Sequence, residues 1–284
     1  MILKKSLVES TALADRLMKL LTCPVCGAAL ERGVHELRCA RCMKAYPIRD
    51  GRPVFLTDAA AVKVMPEGHA SNPIPKIACD LLGALDGPAL NIGAGSTEQK
   101  LPNCIEMEYA IFRHTDVVGD AHCLPFADGA FAAVITFNTF EHLYDPARAA
   151  QEIYRVLRPG GRVLLHTAFL QPLHEAPHHY YNATEFGIRR WFRAFQIDEL
   201  SVSNNFQPAY ALAWLASELH RCMTGELGSR AARRFEQTSI KFWKDAWQNP
   251  KLRLDSCWDL PVRLSAETQK QLAAGFQLQA IKRA

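Results

Sequence analysis

The apolar run Leu90-Asn91-Ile92 ends in Gly93-Ala94-Gly95. An apolar-acidic segment (Ile105-Glu106-Met107-Glu108) follows shortly after it, and then Val117-Val118-Gly119-Asp120-Ala121. That order outlines the nucleoside-binding edge of an α/β sheet. Glycines let the backbone approach a ligand, one carboxylate can hold ribose hydroxyls, and a second can accept from an adenine amino group. The position three after Gly95 is Glu98, so the third glycine of a G-x-G-x-x-G loop is absent. A carboxylate there would face a pyrophosphate badly. The loop suits an adenosine ligand without phosphates.

The surrounding pattern alternates strand and helix. Strands are expected at 89–92, 105–109, 116–119, 131–137 and 162–167, the fourth apolar enough to be buried on both faces. A helix over 145–157 is signalled by Asp145 as cap, Pro146 at its first position, and Ala150, Ile153, Tyr154 and Leu157 on one face. Arg158-Pro159-Gly160-Gly161 should end it. Such alternation implies a parallel sheet with right-handed crossovers. A short helix is expected over 76–85, a further strand near 195–202, and mostly helical chain after that. Residues 57–75, with Pro66, Gly68, Ser71, Pro73 and Pro75, read as a linker. The expected organisation is a ribbon over 1–56, the linker over 57–75, the sheet domain over 76–205 and a mostly helical C-terminal cap over 206–284.

The chain has nine cysteines, four of them in two tight pairs, Cys23-Pro24-Val25-Cys26 and Cys39-Ala40-Arg41-Cys42, with twelve residues between the pairs. Four thiolates so spaced can surround one tetrahedral Zn²⁺ and leave no open coordination position, so the expected metal is structural zinc. The other reading is a small β unit whose cysteines are free and buried. This usage suits a reducing compartment better than a disulfide framework, and the expected location is cytoplasmic. Leu7, Leu13, Leu17, Leu20 and Leu21 recur at helical spacing, interrupted by Glu9, Asp15 and Arg16, which reads as an amphipathic helix rather than a signal peptide. No uncharged apolar stretch approaches the roughly 20 residues needed to span a bilayer. The net charge of +4 is too weak to argue for nucleic acid by itself.

Behind the second cysteine pair comes Tyr46-Pro47-Ile48-Arg49-Asp50-Gly51-Arg52-Pro53-Val54-Phe55-Leu56. With the ribbon ahead of it, this segment resembles the Trm112-like family of small zinc-ribbon proteins, over residues 17–56. That resemblance implies a partner or activator role toward methyltransferases. Residues 87 to about 170 resemble class I S-adenosylmethionine-dependent methyltransferases of the Methyltransf_11 type. Four blocks carry the resemblance: Asn91 to Gly95, Gly119 to Phe126, Phe140-Glu141-His142-Leu143, and Val156-Leu157-Arg158-Pro159-Gly160-Gly161. It implies a Rossmann-like α/β sheet and S-adenosylmethionine as cofactor. Asn91, Gly93, Ala94 and Gly95 would meet the methionine part, and Glu108 the ribose. Asp120 and Ala121 would address the adenine, and Asn138 with Thr139 would line the floor near the sulfonium. One departure is that only twelve residues separate Gly95 from Glu108, with Pro102 among them, so the intervening helix is short or missing. Glu106 lies two before Glu108 and would point to the same side of a strand. Glu108 is preferred because it is nearer the carboxyl end.

The methyl acceptor is less legible. His142 follows the fourth strand, and His174, His178 and His179 lie in a proline-containing loop after the fifth. Such histidines either supply a general base or order the loop through backbone hydrogen bonds. Asn138-Thr139-Phe140-Glu141 stands where the amino-methylating enzymes of adenine or glutamine carry N-P-P-Y. Residues 221–253 interleave basic residues with Phe235, Phe242, Trp243 and Trp247, a pattern that fits nucleic acid or, more simply, a helical core with a solvated face. The expectation is methyl transfer to an unidentified nucleophile, with a small molecule favoured. The alternatives are a tRNA or translation-factor methyltransferase guided by the ribbon, and a silent cofactor-binding scaffold. No membrane partner is expected, and a protein partner through the ribbon is open.

Overall fold

The computed structural model describes residues 15–69, 71, 73–274 and 276. Two compact units divide it, residues up to Ala168 with Ala183–Glu199, and Phe169–Asn182 with the chain from Leu200 onward.

The first unit begins with helical residues 15–20. Leu7 and Leu13 of the expected helix lie outside the described residues. A small antiparallel sheet follows: β1 (Leu30–Arg32), β2 (Glu36–Cys39), β3 (Ala45–Arg49) and β4 (Arg52–Pro53), in that spatial order. The main sheet comprises β5 (Ala89–Ile92), β6 (Cys104–Glu108), β7 (Val117–Val118), β8 (Phe131–Phe137) and β9 (Leu157–His166). Its spatial order is β7-β6-β5-β8-β9 and every pairing is parallel. Strand order therefore reverses beside β5, and the carboxyl ends of β5 and β8 form a topological switch point where ligands bind in open α/β sheets. The inner strands β5 and β8 are buried almost throughout and mostly apolar, with Asn91 and Thr136 as their polar residues, because both faces are covered.

Helix α1 (Lys76–Ala84) precedes β5, and α2 (Pro146–Val156) joins β8 to β9. Asp145 caps α2 by accepting from the Arg148 amide at 3.0 Å, and Ala149, Ala150, Ile153 and Val156 form its buried face. Tyr154, expected on that face, is exposed and meets Phe195 edge-on at 5.2 Å. Leu157 pairs with Phe131, but the register breaks across Arg158-Pro159-Gly160-Gly161 before resuming at Arg162. No helix lies between β5 and β6, in keeping with the short Gly95-to-Glu108 spacing.

Within 57–75, the expected linker, Val64 bridges to Ile111, the Met65 amide donates to the Ile111 carbonyl at 2.8 Å, and Val62 is buried. The strand expected at 195–202 is corrected, because none forms there. Phe195 and Ile197 pack against the core cluster without a pairing partner, so their apolar spacing reflects burial rather than a ladder.

The ribbon shares one hydrophobic core with the sheet. Leu17, Leu21, Leu30, Leu37 and Tyr46 belong to the same buried cluster as Ile92, Met107, Phe126 and Phe131. Val54 forms a parallel bridge to Val118, and the Phe55 amide donates to the Val118 carbonyl at 2.8 Å. The ribbon's last residues thereby cover the open edge of β7, which otherwise presents unpaired backbone groups.

After α3 (Glu185–Trp191), which belongs to the first unit, the second unit carries α4 (Pro208–Leu227), α5 (Ser229–Glu236), α6 (Ile240–Gln248), α7 (Ser256–Val262) and α8 (Ala266–Leu272). Its small core holds Cys222, Met223, Ala232, Leu260 and Leu264. Phe235, Phe242 and Trp258 gather around Trp243, while Trp247 is exposed. Arg221 and Lys241 pair with Glu218 and Asp245, and Arg253 stacks on Trp258. These contacts match a helical core with a solvated, self-paired face. Among the described residues, no helix is long and apolar enough to cross a membrane.

Candidate cofactor edge and cysteine centre

The glycine turn is held against the ends of β6 and β8. Gly93 donates to the Met107 carbonyl at 3.0 Å, and both Gly93 and Gly95 have positive φ, 68° and 62°. A β-carbon on Gly93 would lie 2.0 Å from Thr139 Oγ1, and one on Gly95 would lie 2.3 Å from Ser71 Oγ. Both positions therefore require glycine for conformation and for space. Ser71 also accepts from the Ser96 amide at 2.7 Å. Sequence reasoning left Ser71 in a linker, because nothing local marks a contact made 25 residues away.

The two acids of β6 separate clearly. Glu106 is fully buried, and the Thr97 hydroxyl donates to both its oxygens at 3.0 and 3.1 Å. Burial pushes its carboxyl up to about 7, against the pull of Lys100 and Thr97. Glu108 sits at the carboxyl end, accepting from the Gly95 amide at 2.7 Å and from the Tyr109 amide at 2.8 Å. Burial raises its pKa too, despite those two donors. Glu106 thus braces the loop from inside, and Glu108 is the acid that meets the glycine turn.

Asp120 follows β7, with its side chain 36% exposed. Its Oδ1 accepts from the His122 amide at 2.9 Å and bonds the His122 ring at 2.5 Å. The loop carrying Asp120 and Ala121 is clamped from several sides. Glu152 on α2 accepts from the Leu124 amide at 2.8 Å, and Arg155 donates to the carbonyls of Leu124 (2.9 Å) and Phe126 (2.7 Å). From the ribbon, Thr22 donates to the Pro125 carbonyl, and Leu20 accepts from the Ala127 amide.

Among the described residues, four buried oxygens have no hydrogen-bond partner: Asn91 Oδ1, Thr136 Oγ1, Asn138 Oδ1 and Glu141 Oε1. All lie on or just beyond β5 and β8, the two strands flanking the switch point. Buried polar atoms are rarely left unpaired, so this concentration fits an edge built to receive polar ligand groups. Asn138 adds a positive φ of 52°. The other Glu141 oxygen accepts from the Thr167 hydroxyl at 2.9 Å.

The four candidate histidines fall in different units. His142 is half-buried at the end of the short turn Phe140–His142 in the first unit. His174, His178 and His179 belong to the second unit. His179 Nδ1 accepts from the His174 amide at 3.2 Å while its Nε2 faces the Tyr181 carbonyl at 3.1 Å. Both its ring nitrogens face backbone groups, an arrangement that orders the loop. His174 bonds the Pro172 carbonyl through Nδ1, and His178 lies 3.4 Å from the Tyr180 hydroxyl.

Cys23, Cys26, Cys39 and Cys42 present their sulfurs within 4.8 Å of one another. Cys23 lies 3.6 Å from Cys42, and Cys26 lies 3.4 Å from Cys39. A tetrahedral zinc thiolate set has sulfur–sulfur edges of roughly 3.8 Å, so the four fit such an ion closely. The Cys42 amide draws the Cys39 thiol down to about 6. Cys42 is pushed up to about 11, because burial and the neighbouring sulfurs outweigh the help of the Lys44 amide.

Two family models match the chain, a methyltransferase domain over residues 95–165 and a Trm112p-like protein over residues 15–51. A UPF0434 protein of Cupriavidus necator is 48% identical over 61 residues, 21% of this chain and 87% of that protein. An uncharacterized 37.1 kDa protein in transposon TN4556 of Streptomyces fradiae is 46% identical over 48 residues, 17% of this chain, and the chain spans only 14% of its length. Among solved structures, the S-adenosylmethionine-dependent methyltransferase of Mesorhizobium loti overlaps 48% of this chain and 87% of its own, at 13% identity and a TM-score of 0.34. Haemonchus contortus phosphoethanolamine N-methyltransferase 2, in complex with S-adenosyl-L-methionine, overlaps 63% of this chain and 47% of its own, at 16% identity and a TM-score of 0.35.

Proposed function

Because the chain belongs to the Trm112p-like proteins through its N-terminal segment and carries a methyltransferase domain behind it, we propose that it transfers a methyl group from S-adenosylmethionine to an unidentified nucleophile. The observation that carries this reading is the alignment of the Gly93–Gly95 turn, Glu108 and Asp120 along the carboxyl ends of β5, β6 and β7, beside the four unpaired oxygens. When bound, the cofactor supplies an already activated sulfonium methyl.

The residues of the chain bind and orient. The bare backbone from Gly93 to Gly95 receives the methionine end. Glu108, anchored by the Gly95 and Tyr109 amides, accepts from ribose hydroxyls through its remaining lone pairs. The second oxygen of Asp120 accepts from the adenine amino group, and the Ala121 amide addresses the ring. Asn138 and Thr139 line the floor beyond β8. Alignment of nucleophile, carbon and sulfur supplies much of the rate in such a transfer. A base is needed only for a protonated acceptor, and His142, next to buried Glu141, is the candidate in the first unit. The four cysteines hold a structural Zn²⁺, which closes the ribbon and takes no part in the reaction. Since the ribbon already covers β7 of its own chain, it acts as a built-in brace for this domain.

The test is titration calorimetry with S-adenosylmethionine and S-adenosylhomocysteine. Micromolar binding of both supports the assignment, and failure of either to bind at millimolar concentration sinks it.

A further inference from the structure

His122 is buried, yet the proposed chemistry gives it no role, and its surroundings are more specific than packing requires. Its ring is fixed on every side. The Asp145 amide donates to Nε2 at 3.2 Å, and the Tyr144 ring stacks on it with centroids 3.9 Å apart. Its own carbonyl accepts from Arg148 Nε at 3.1 Å. A ring nitrogen that accepts from an amide carries no proton, so the proton of the neutral ring is on Nδ1. That N–H meets Asp120 Oδ1 at 2.5 Å.

An aspartate accepting from the amide two residues on is a common local turn and leaves its carboxylate free to rotate within limits. Here a second, rigid donor takes the same oxygen. Oδ1 is thereby occupied twice, and Oδ2 is the oxygen left to accept from a ligand. The relay begins at Asp145, the residue that caps α2, so the orientation of the carboxylate is set by a helix terminus rather than by a mobile loop.

We propose that His122 is a positioning residue that aims the Asp120 carboxylate at the exocyclic amino group of a 6-aminopurine, and so makes the site selective for adenosyl over other purine nucleosyl ligands. This inference rests on the methyl-transfer reading and its assignment of Asp120.

The test compares S-adenosylhomocysteine with its purine analogue lacking the 6-amino group, by calorimetry on the full chain. Wild type should prefer the amino compound by about tenfold, roughly the worth of one well-aimed hydrogen bond to a charged acceptor. His122→Ala should lose that preference while changing the affinity for the desamino analogue less than twofold. In an Asp120→Ala background, His122→Ala should add nothing. Equal losses for both ligands, or a further loss in that background, overturn the positioning role and leave the methyl-transfer reading intact. Failure of the wild type to bind S-adenosylhomocysteine overturns the methyl-transfer reading, and this inference with it. If His122→Ala does not fold, ring ¹⁵N shifts of the wild type, assigned by loss of the signal in His122→Gln, decide the matter. The Nδ1–H tautomer supports the relay, and the Nε2–H tautomer breaks it.

Discussion

The Cys123 thiol donates to the Pro24 carbonyl across 3.2 Å, so the loop that presents Asp120 and the first cysteine turn touch directly. Burial raises the Cys123 pKa, which keeps the sulfur protonated and able to donate. Thr22 and Leu20 add backbone bonds to the same loop, and Leu21 pairs with Phe126. The cysteine ribbon and the loop proposed to hold the adenine are therefore in direct contact, so the proposed metal and ligand sites should be coupled.

Stripping zinc with a strong chelator should weaken S-adenosylhomocysteine binding about tenfold, or roughly 1.4 kcal/mol of coupling. Linkage is reciprocal, so saturating ligand should slow or weaken zinc loss by a matching factor. Calorimetry on zinc-loaded and zinc-free protein measures the first effect, and a chromogenic chelator the second. A folded, zinc-free chain with unchanged affinity would show the two sites to be independent.

Arg155 holds the same loop from α2. One guanidinium serves the Leu124 and Phe126 carbonyls, Asp128, and both oxygens of Glu152. Arg155→Ala leaves those acceptors to whatever water reaches them, and Glu152 is mostly buried. The expected loss is about 2 kcal/mol, read as a fall in the midpoint of denaturant unfolding with unchanged slope. Arg155→Lys should recover only part of it, because a point charge cannot make the forked contacts. A change within experimental error would mean that the loop is held by its other braces alone.

Glu106 gives stability a definite pH dependence. Its carboxyl is held at about 7, above the ordinary 4.5, because burial disfavours the charge. The folded state therefore binds more protons than the unfolded state between those two values, and stability falls as pH rises through that window. Above pH 7 the cost of ionising the buried acid is present in full, about 3 kcal/mol. Glu106→Gln keeps a partner for Thr97 and removes the charge. Its melting temperature should vary less between pH 5 and pH 8 than that of the wild type, and equal slopes for the two proteins would exclude Glu106 as the source.

How much of this was readable in the sequence depends on range. The five parallel strands, the α2 cap at Asp145, and the four cysteines were legible because each is a local pattern of period, capping residue or spacing. The choice of Glu108 over Glu106 for the ribose rested on position alone; the structure places Glu108 against the Gly95 amide and Glu106 in the interior. The relay from Asp145 through His122 to Asp120 was not legible, since its outer bond spans 23 residues and no periodicity marks it. The expected strand at 195–202 failed for a related reason. Phe195 and Ile197 have the spacing of a strand, but a strand also needs a neighbour, and alternation cannot show one. The shared core of ribbon and sheet was hidden because burial of Leu21 against Phe126 is a tertiary fact written in two distant segments.

Ser71 and Gly95 offer a test of the turn itself. A methyl group on Gly95 would meet Ser71 Oγ at 2.3 Å and Ser71 Cβ at 3.0 Å, in a backbone with φ of 62°. Two costs are therefore superimposed, a collision and a left-handed conformation that an L-residue adopts at about 1 kcal/mol. Gly95→Ala should lower the melting temperature and weaken S-adenosylhomocysteine binding at least tenfold. Adding Ser71→Gly removes the collision but not the conformational cost, and it also removes the acceptor for the Ser96 amide. The double variant should accordingly recover part of the lost stability and little of the lost affinity. Full recovery of both would show that only the collision mattered, and no recovery would show that the segment carrying Ser71 moves aside freely.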